Sequence, residues 1–140
     1  MKSDSEKLNH TFIEFYEKLS SWELNVVKDK GISLTLVHAV EILGAFGAMP
    51  MKELASKVGV TTGTLTVQVD NLEKVDLVER VPHHKDRRSI LVKLTDKGEL
   101  LFKEHDNLHL QLTKQLTAEF SEDEVNLLNK LMTRVNNAFD

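Results

Sequence analysis

The stretch Asp86–Gly98 reads DRRSILVKLTDKG and changes its local grammar twice. It opens on the charged cluster Asp86, Arg87 and Arg88. Ile90, Val92 and Leu94 then recur at every second residue, the period of a half-buried strand. Thr95 follows, a residue type that caps helix N-termini, and Asp96-Lys97-Gly98 starts the next segment. A strand thus feeds a helix, with a charged tip ahead of the strand. Upstream, LVERV (Leu77–Val81) has the composition of a partner strand, and PHHKDRR (Pro82–Arg88) is a polar hairpin loop between the two. Before them, TGTLTVQVDNLEKV places Leu65, Val69 and Leu72 on one helical face, with Thr61 as N-cap. The preceding MKELASKVG gathers Leu54, Ala55 and Val58 on one side and stops at Gly59. Two helices joined through Gly59-Val60 and followed by a hairpin predict a winged helix-turn-helix.

Working outward, Leu8, Phe12, Phe15, Leu19, Trp22 and Val26 are spaced 4, 3, 4, 3 and 4, a helical stripe. Lys28–Gly31 (KDKG) ends it, with Gly31 available for a left-handed cap. A second helix is predicted from about Ser33 to Leu43, with a looser GAFGAM after it. Thr95 opens a long helix whose apolar positions include Phe102, Leu112 and Leu116. Ser121 and Glu124 have capping-box spacing and open a last helix carrying Val125, Leu128, Leu131, Met132, Val135 and Phe139. The expected fold class is mainly α (α+β), in the order α-α-α-α-β-β-α-α. Residues 1–140 form one chain-long unit. Residues 33–95 make the winged helix-turn-helix, and 1–31 and 96–140 supply long flanking helices for dimerisation. The stripes on the first and last helices are more apolar surface than one small chain can cover while packing a winged domain.

The chain has 140 residues, 41% apolar and 29% charged, which fits one globular domain rather than disorder. It has no cysteine, so disulfides, thiolate metal sites and thiol switches are excluded. No apolar run reaches bilayer-spanning length, and MKSDSEKLNH carries no apolar signal core, so the expectation is a cytoplasmic protein without a membrane partner. Net charge is −4, which by itself argues against a polyanion. The distribution argues the other way. Between Met51 and Gly98 there are nine basic and seven acidic residues, a net +2 that leaves −6 for the rest.

A hairpin tip holding His83, His84, Lys85, Arg87 and Arg88 can meet DNA, where arginine favours a narrow minor groove. Asp86 suits no phosphate contact; its role is to accept hydrogen bonds within the loop or to hold an arginine. Taken alone, the same tip also reads as a solvated surface hairpin. The order of motifs goes further and resembles the MarR family of bacterial transcription regulators. The family's wing signature falls on Asp86, Arg88, Leu94, Thr95 and Gly98, and its recognition-helix pattern on Thr61, Leu65, Thr66, Leu72 and Glu73. The resemblance covers nearly the whole chain. It implies a homodimer on pseudo-palindromic double-stranded DNA, usually a repressor, with an effector between the DNA-binding and dimer regions.

Two positions depart from the family pattern. Asp76 stands where a helix-ending glycine is common, and aspartate tolerates the left-handed conformation better than most residues. Val67 stands where a basic residue is frequent; valine cannot bond a base edge but can touch a thymine methyl. The candidate DNA contacts are Thr61, Thr62, Thr64, Thr66, Val67, Gln68, Asn71, Lys74, Lys85, Arg87 and Arg88, with Asp86 shaping the wing.

Histidines raise a second question. Phe102, His105, His109, Leu112 and Leu116 recur at 3, 4, 3 and 4, so two imidazoles share the apolar face one turn apart. That geometry can share a metal; equally, these can be core histidines with hydrogen-bond partners. His38 and Glu23 join them as effector or metal candidates, with Glu104 as a further oxygen. The run HDNLH departs from the zinc-hydrolase pattern HExxH by Asp106, and no third ligand follows. The resemblance brings in both zinc-responsive members and a fatty-acid-synthesis branch, which TTGTLTVQVDNLEK is similar to; Trp22, Phe46 and Phe102 would line a tunnel for an acyl chain. No cofactor is required for the fold; zinc, an acyl chain and a small molecule are the candidate effectors. The alternative function is a protein-interaction module on a winged-helix fold that does not bind DNA. Enzyme activity is not expected, for want of a nucleophile and base set.

Overall fold

The computed structural model describes every residue except Asp29 and Arg87. Six helices and a small sheet follow one another as α1 (Asp4–Val27), α2 (Leu34–Phe46), β1 (Met49–Pro50), α3 (Met51–Val58), α4 (Thr62–Lys74), β2 (Val78–Pro82), β3 (Ile90–Leu94), α5 (Asp96–Leu116) and α6 (Glu122–Asn137). The chain divides into two compact units, Met1–Phe102 and Lys103–Asp140.

Capping sets most helix starts. Ser3 and Glu6 form a capping box at α1, Ser33 accepts from the Leu36 amide at α2, Thr61 from the Thr64 amide at α4, and Ser121 with Glu124 forms a second box at α6. α3 ends at Gly59 in the left-handed region (φ 84°), where its N–H donates to the Ala55 carbonyl. α2 runs to Phe46, one turn beyond the expected stop, because Gly47 (φ 86°), not Gly44, ends it.

In the first unit, β3 is the central strand of an antiparallel sheet ordered β1-β3-β2. β2 pairs with it from Val78↔Leu94 to Pro82↔Ile90, and β1 through Met49↔Val92 and Pro50↔Leu91. The core joins Ala39, Val40 and Leu43 of α2, Leu54 and Ala55 of α3, Leu65, Val69 and Leu72 of α4, and Val78, Val92 and Leu94 of the sheet. A leucine buried this completely contributes roughly 1.5–3 kcal/mol of transfer free energy. Ile90 departs from expectation. Only Val92 and Leu94 are buried, while Ile90 is 53% exposed, because it pairs with Pro82 where the hairpin leaves the core.

Two glycines mark close approaches. A Cβ on Gly98 would run into the Leu77 carbonyl, which already accepts from the Thr95 amide at 3.1 Å. A Cβ on Gly44 would strike the Phe102 ring, so glycine is what lets that ring lie on α2. In the second unit, α6 buries no residue along its length.

Candidate nucleic-acid interface

α4 is fastened from one side only. Leu65, Val69 and Leu72 have no exposed surface, one residue per turn along the inner stripe. The opposite face leaves Thr62, Gly63, Thr66, Val67, Asp70, Asn71 and Lys74 open to solvent. Thr61 caps the helix through Oγ1, which accepts from the Thr64 amide at 3.1 Å, and the two hydroxyls bond at 3.0 Å. Thr66 donates its hydroxyl to the Thr62 carbonyl at 2.8 Å. Gln68 is half-buried, with its Oε1 shut off from solvent.

The outer face carries one acid, Asp70, and Glu73 lies beside it. Arg80 on β2 binds both: its guanidinium donates to Asp70 at 2.8 Å and forms an ion pair with Glu73. The two carboxylates are thereby neutralised on the face that would meet a polyanion. Sequence reading missed Arg80. Nothing local links it to α4; only the return of the chain through β2 does. The turn that makes this possible is Asp76, in the left-handed region at φ 61°. Its carbonyl accepts from the Thr95 hydroxyl at 2.6 Å, and that same hydroxyl accepts from the Gly98 amide at 3.1 Å. Thr95 therefore caps α5 and ties the start of that helix to the end of α4.

At the wing tip, Asp86 accepts from the Arg88 amide at 3.0 Å through Oδ1, and its carbonyl accepts from the Ser89 amide at 3.0 Å. The His83 Nδ1 accepts from the Lys85 amide at 3.0 Å, which leaves the neutral ring its proton on Nε2. The ring stacks on His84 with centroids 5.2 Å apart. This small hydrogen-bonded loop is closed by the His83 amide on the Ser89 carbonyl at 2.9 Å. Lys85 and Arg88 project from it as exposed cations. Arg87, expected as a DNA contact, lies outside the described residues. Three helices, a three-stranded sheet and a basic tip thus combine in the order expected of a winged helix-turn-helix.

Residues 32–90 match the family model described as "MarR family". The HTH-type transcriptional regulator MgrA of Staphylococcus aureus is 32% identical over 90 residues, covering 64% of this chain and 60% of that protein, so the match spans less than two thirds of its length. The crystal structure of Streptococcus pneumoniae FabT in complex with DNA superposes with a TM-score of 0.82 at 25% identity, covering 97% of each chain. A MarR family protein from Bacillus stearothermophilus superposes at 0.87, with 20% identity over 96% of this chain and 94% of that one. The likeness to the MarR family is carried by the winged helix-turn-helix region, residues 32–90.

The chain also carries the expected histidines. In the second unit, His105 is buried at 1% exposure, His109 is half-buried, and their Nε2 atoms lie 3.2 Å apart. In the hydrogen-bonded pair, one ring donates from Nε2 and the other accepts there. In the first unit, the exposed His38 places Nε2 3.2 Å from Oε2 of the half-buried Glu23. Glu23 also has a carboxylate oxygen within 4.8 Å of one from Glu41. Glu41 escaped the sequence reading. Its position three residues after His38 on α2, hence on a neighbouring face, was the signal available. Glu104 is exposed. Phe46, expected with Trp22 and Phe102 as tunnel lining, is 66% exposed and carries the Lys57 ammonium 4.2 Å above its ring. MgrA is named as a transcriptional regulator, not an enzyme, and among the described residues no helix is long and apolar enough to cross a membrane.

Proposed function

We propose that this chain is a sequence-specific DNA-binding transcriptional regulator that acts as a homodimer and represses genes near a pseudo-palindromic operator. The observation that carries the reading is α4, held by three fully buried side chains with its outer face open and its acids paired to Arg80. Such a helix presents side chains to a major groove, while the wing sets Arg88 and Lys85 against the neighbouring backbone or minor groove. The FabT structure, which holds DNA, supports the reading. Pairing with a second copy accounts for the apolar faces of α1 and α6. Phe12 and Phe15 on α1 and Leu128, Leu131 and Met132 on α6 are each 40–47% exposed.

The proposed effector-responsive residues are His38, Glu23 and Glu41 in the first unit and His105 with His109 in the second. Carboxylates and imidazoles are the donor set that suits a zinc-type divalent cation; an acyl chain or other small molecule is the competing effector. A ligand that binds one spacing of the paired recognition helices better than another shifts the population toward or away from the form that spans two major grooves, about 34 Å apart.

The test is fluorescence anisotropy with labelled DNA from upstream of the protein's own gene, at several salt concentrations. The expected result is binding that exceeds a scrambled duplex and weakens steeply with salt. No preference over the scrambled duplex, with retained fold, would favour the interaction-module reading. Adding zinc tests the effector assignment. Zinc should change DNA affinity in wild type but not in His105→Ala/His109→Ala, and its effect should fade on acidification as protons compete for the imidazoles.

A further inference from the structure

Val67 lies at the middle of the outer face of α4 and is 60% exposed. Its isopropyl group stands on the face opposite the buried Leu65, Val69 and Leu72 stripe. One turn earlier on the same face stands Gly63, where an added Cβ would meet nothing nearer than the Thr61 Oγ1 at 4.0 Å. The helix surface is therefore indented beside Val67.

Several polar neighbours of Val67 are engaged within the chain. The Thr61 hydroxyl donates to Thr64, the Thr66 hydroxyl donates to the Thr62 carbonyl, and the Gln68 Oε1 is withdrawn from solvent. Asp70 is held by Arg80. At Val67 itself this face offers a groove hydrocarbon, flanked by the open side chains of Thr62, Asn71 and Lys74. In the major groove of B-form DNA, the one apolar group on a base edge is the C5-methyl of thymine.

We propose that Val67, seated beside the Gly63 indentation, selects thymine at one position of each half-site by packing against its C5-methyl group. The inference rests on the DNA-binding reading above and adds what one residue of the interface recognises. It explains why a basic side chain is dispensable there. Val67 supplies discrimination, and the wing cations supply attraction to phosphate.

The probe is uracil, which keeps every hydrogen-bonding group of thymine and lacks only the methyl. A binding duplex is selected from a random pool with the wild-type protein. Each thymine is then replaced by deoxyuridine, one symmetry-related pair at a time. Val67→Ala is measured on the same set; alanine at an exposed helical site is a better helix former than valine, so the fold is retained. Burial of one methyl corresponds to a loss of about fourfold per half-site, hence about 16-fold when both half-sites are changed. The expected result is one pair of positions where uracil costs the wild type a loss of that order, with Val67→Ala already weakened and indifferent to the replacement. If no thymine in the selected core is sensitive to loss of its methyl, or if Val67→Ala keeps the same sensitivity, the assignment to Val67 is overturned while DNA binding stands. Failure of any duplex to enrich would overturn the DNA-binding reading itself, and this inference with it.

Discussion

Helices α4 and α6 are written in the same way and used in opposite ways. Each opens on a hydroxyl cap, Thr61 or Ser121, and each carries an apolar stripe at helical spacing. In α4 the stripe has no exposed surface. In α6 the corresponding side chains, Leu128 and Leu131, remain 41% and 45% exposed. An apolar stripe therefore specifies that a face will be covered, not by what. For α4 the cover is the chain's own sheet and helices. For α6 the cover belongs to the proposed second copy, as hydrophobic burial is non-directional and accepts any complementary surface.

The sharpest way to break that contrast is to truncate one leucine in each helix. Leu65→Ala should cost roughly 2–5 kcal/mol of unfolding free energy, measured by urea denaturation, because it leaves a cavity in a closed core. Leu131→Ala should act mainly on assembly, raising the monomer fraction in sedimentation velocity at micromolar concentration. Equal losses in the two variants at a concentration that keeps both monomeric would dissolve the distinction. Gly98→Ala, next in size, should cost about 1–3 kcal/mol in the same melt, since its Cβ meets the Leu77 carbonyl, which is fixed by backbone hydrogen bonds.

Arg88→Ala probes the wing beside α4. It should weaken operator binding by roughly 1–3 kcal/mol, most on A·T-rich flanks, with the melting temperature unchanged. The smallest effects come from the caps. Thr61→Ala and Ser121→Ala should each lose about 1 kcal/mol of stability. Only the first should also lower DNA affinity, since Thr61 sets the start of the helix that is proposed to enter the groove. A matching loss of affinity in Ser121→Ala would mean that α6 communicates with the DNA-binding face.

What the amino-acid sequence determined by itself is what neighbours along the chain decide. The α4 stripe and the Thr61 and Ser121 caps depend on residues within about one helical turn, so their spacing is visible before folding; the turn at Asp76 was expected only from the family resemblance. Much of the family likeness rests on these same elements. Other features needed the tertiary structure. The two residues of β1, Met49 and Pro50, have no strand pattern of their own and are extended only because β3 offers them partners. Ile90 keeps the alternation of a buried strand but sits past the edge of the core. Gly98 is required by the carbonyl of Leu77, and Arg80 reaches back to Asp70 and Glu73 only after β2 has turned against α4. Glu23 and Glu41 come together from different helices. Each of these contacts joins residues that no local period connects. Their energies appear only once the chain has closed on itself, and that is where the structure decided what the sequence left open.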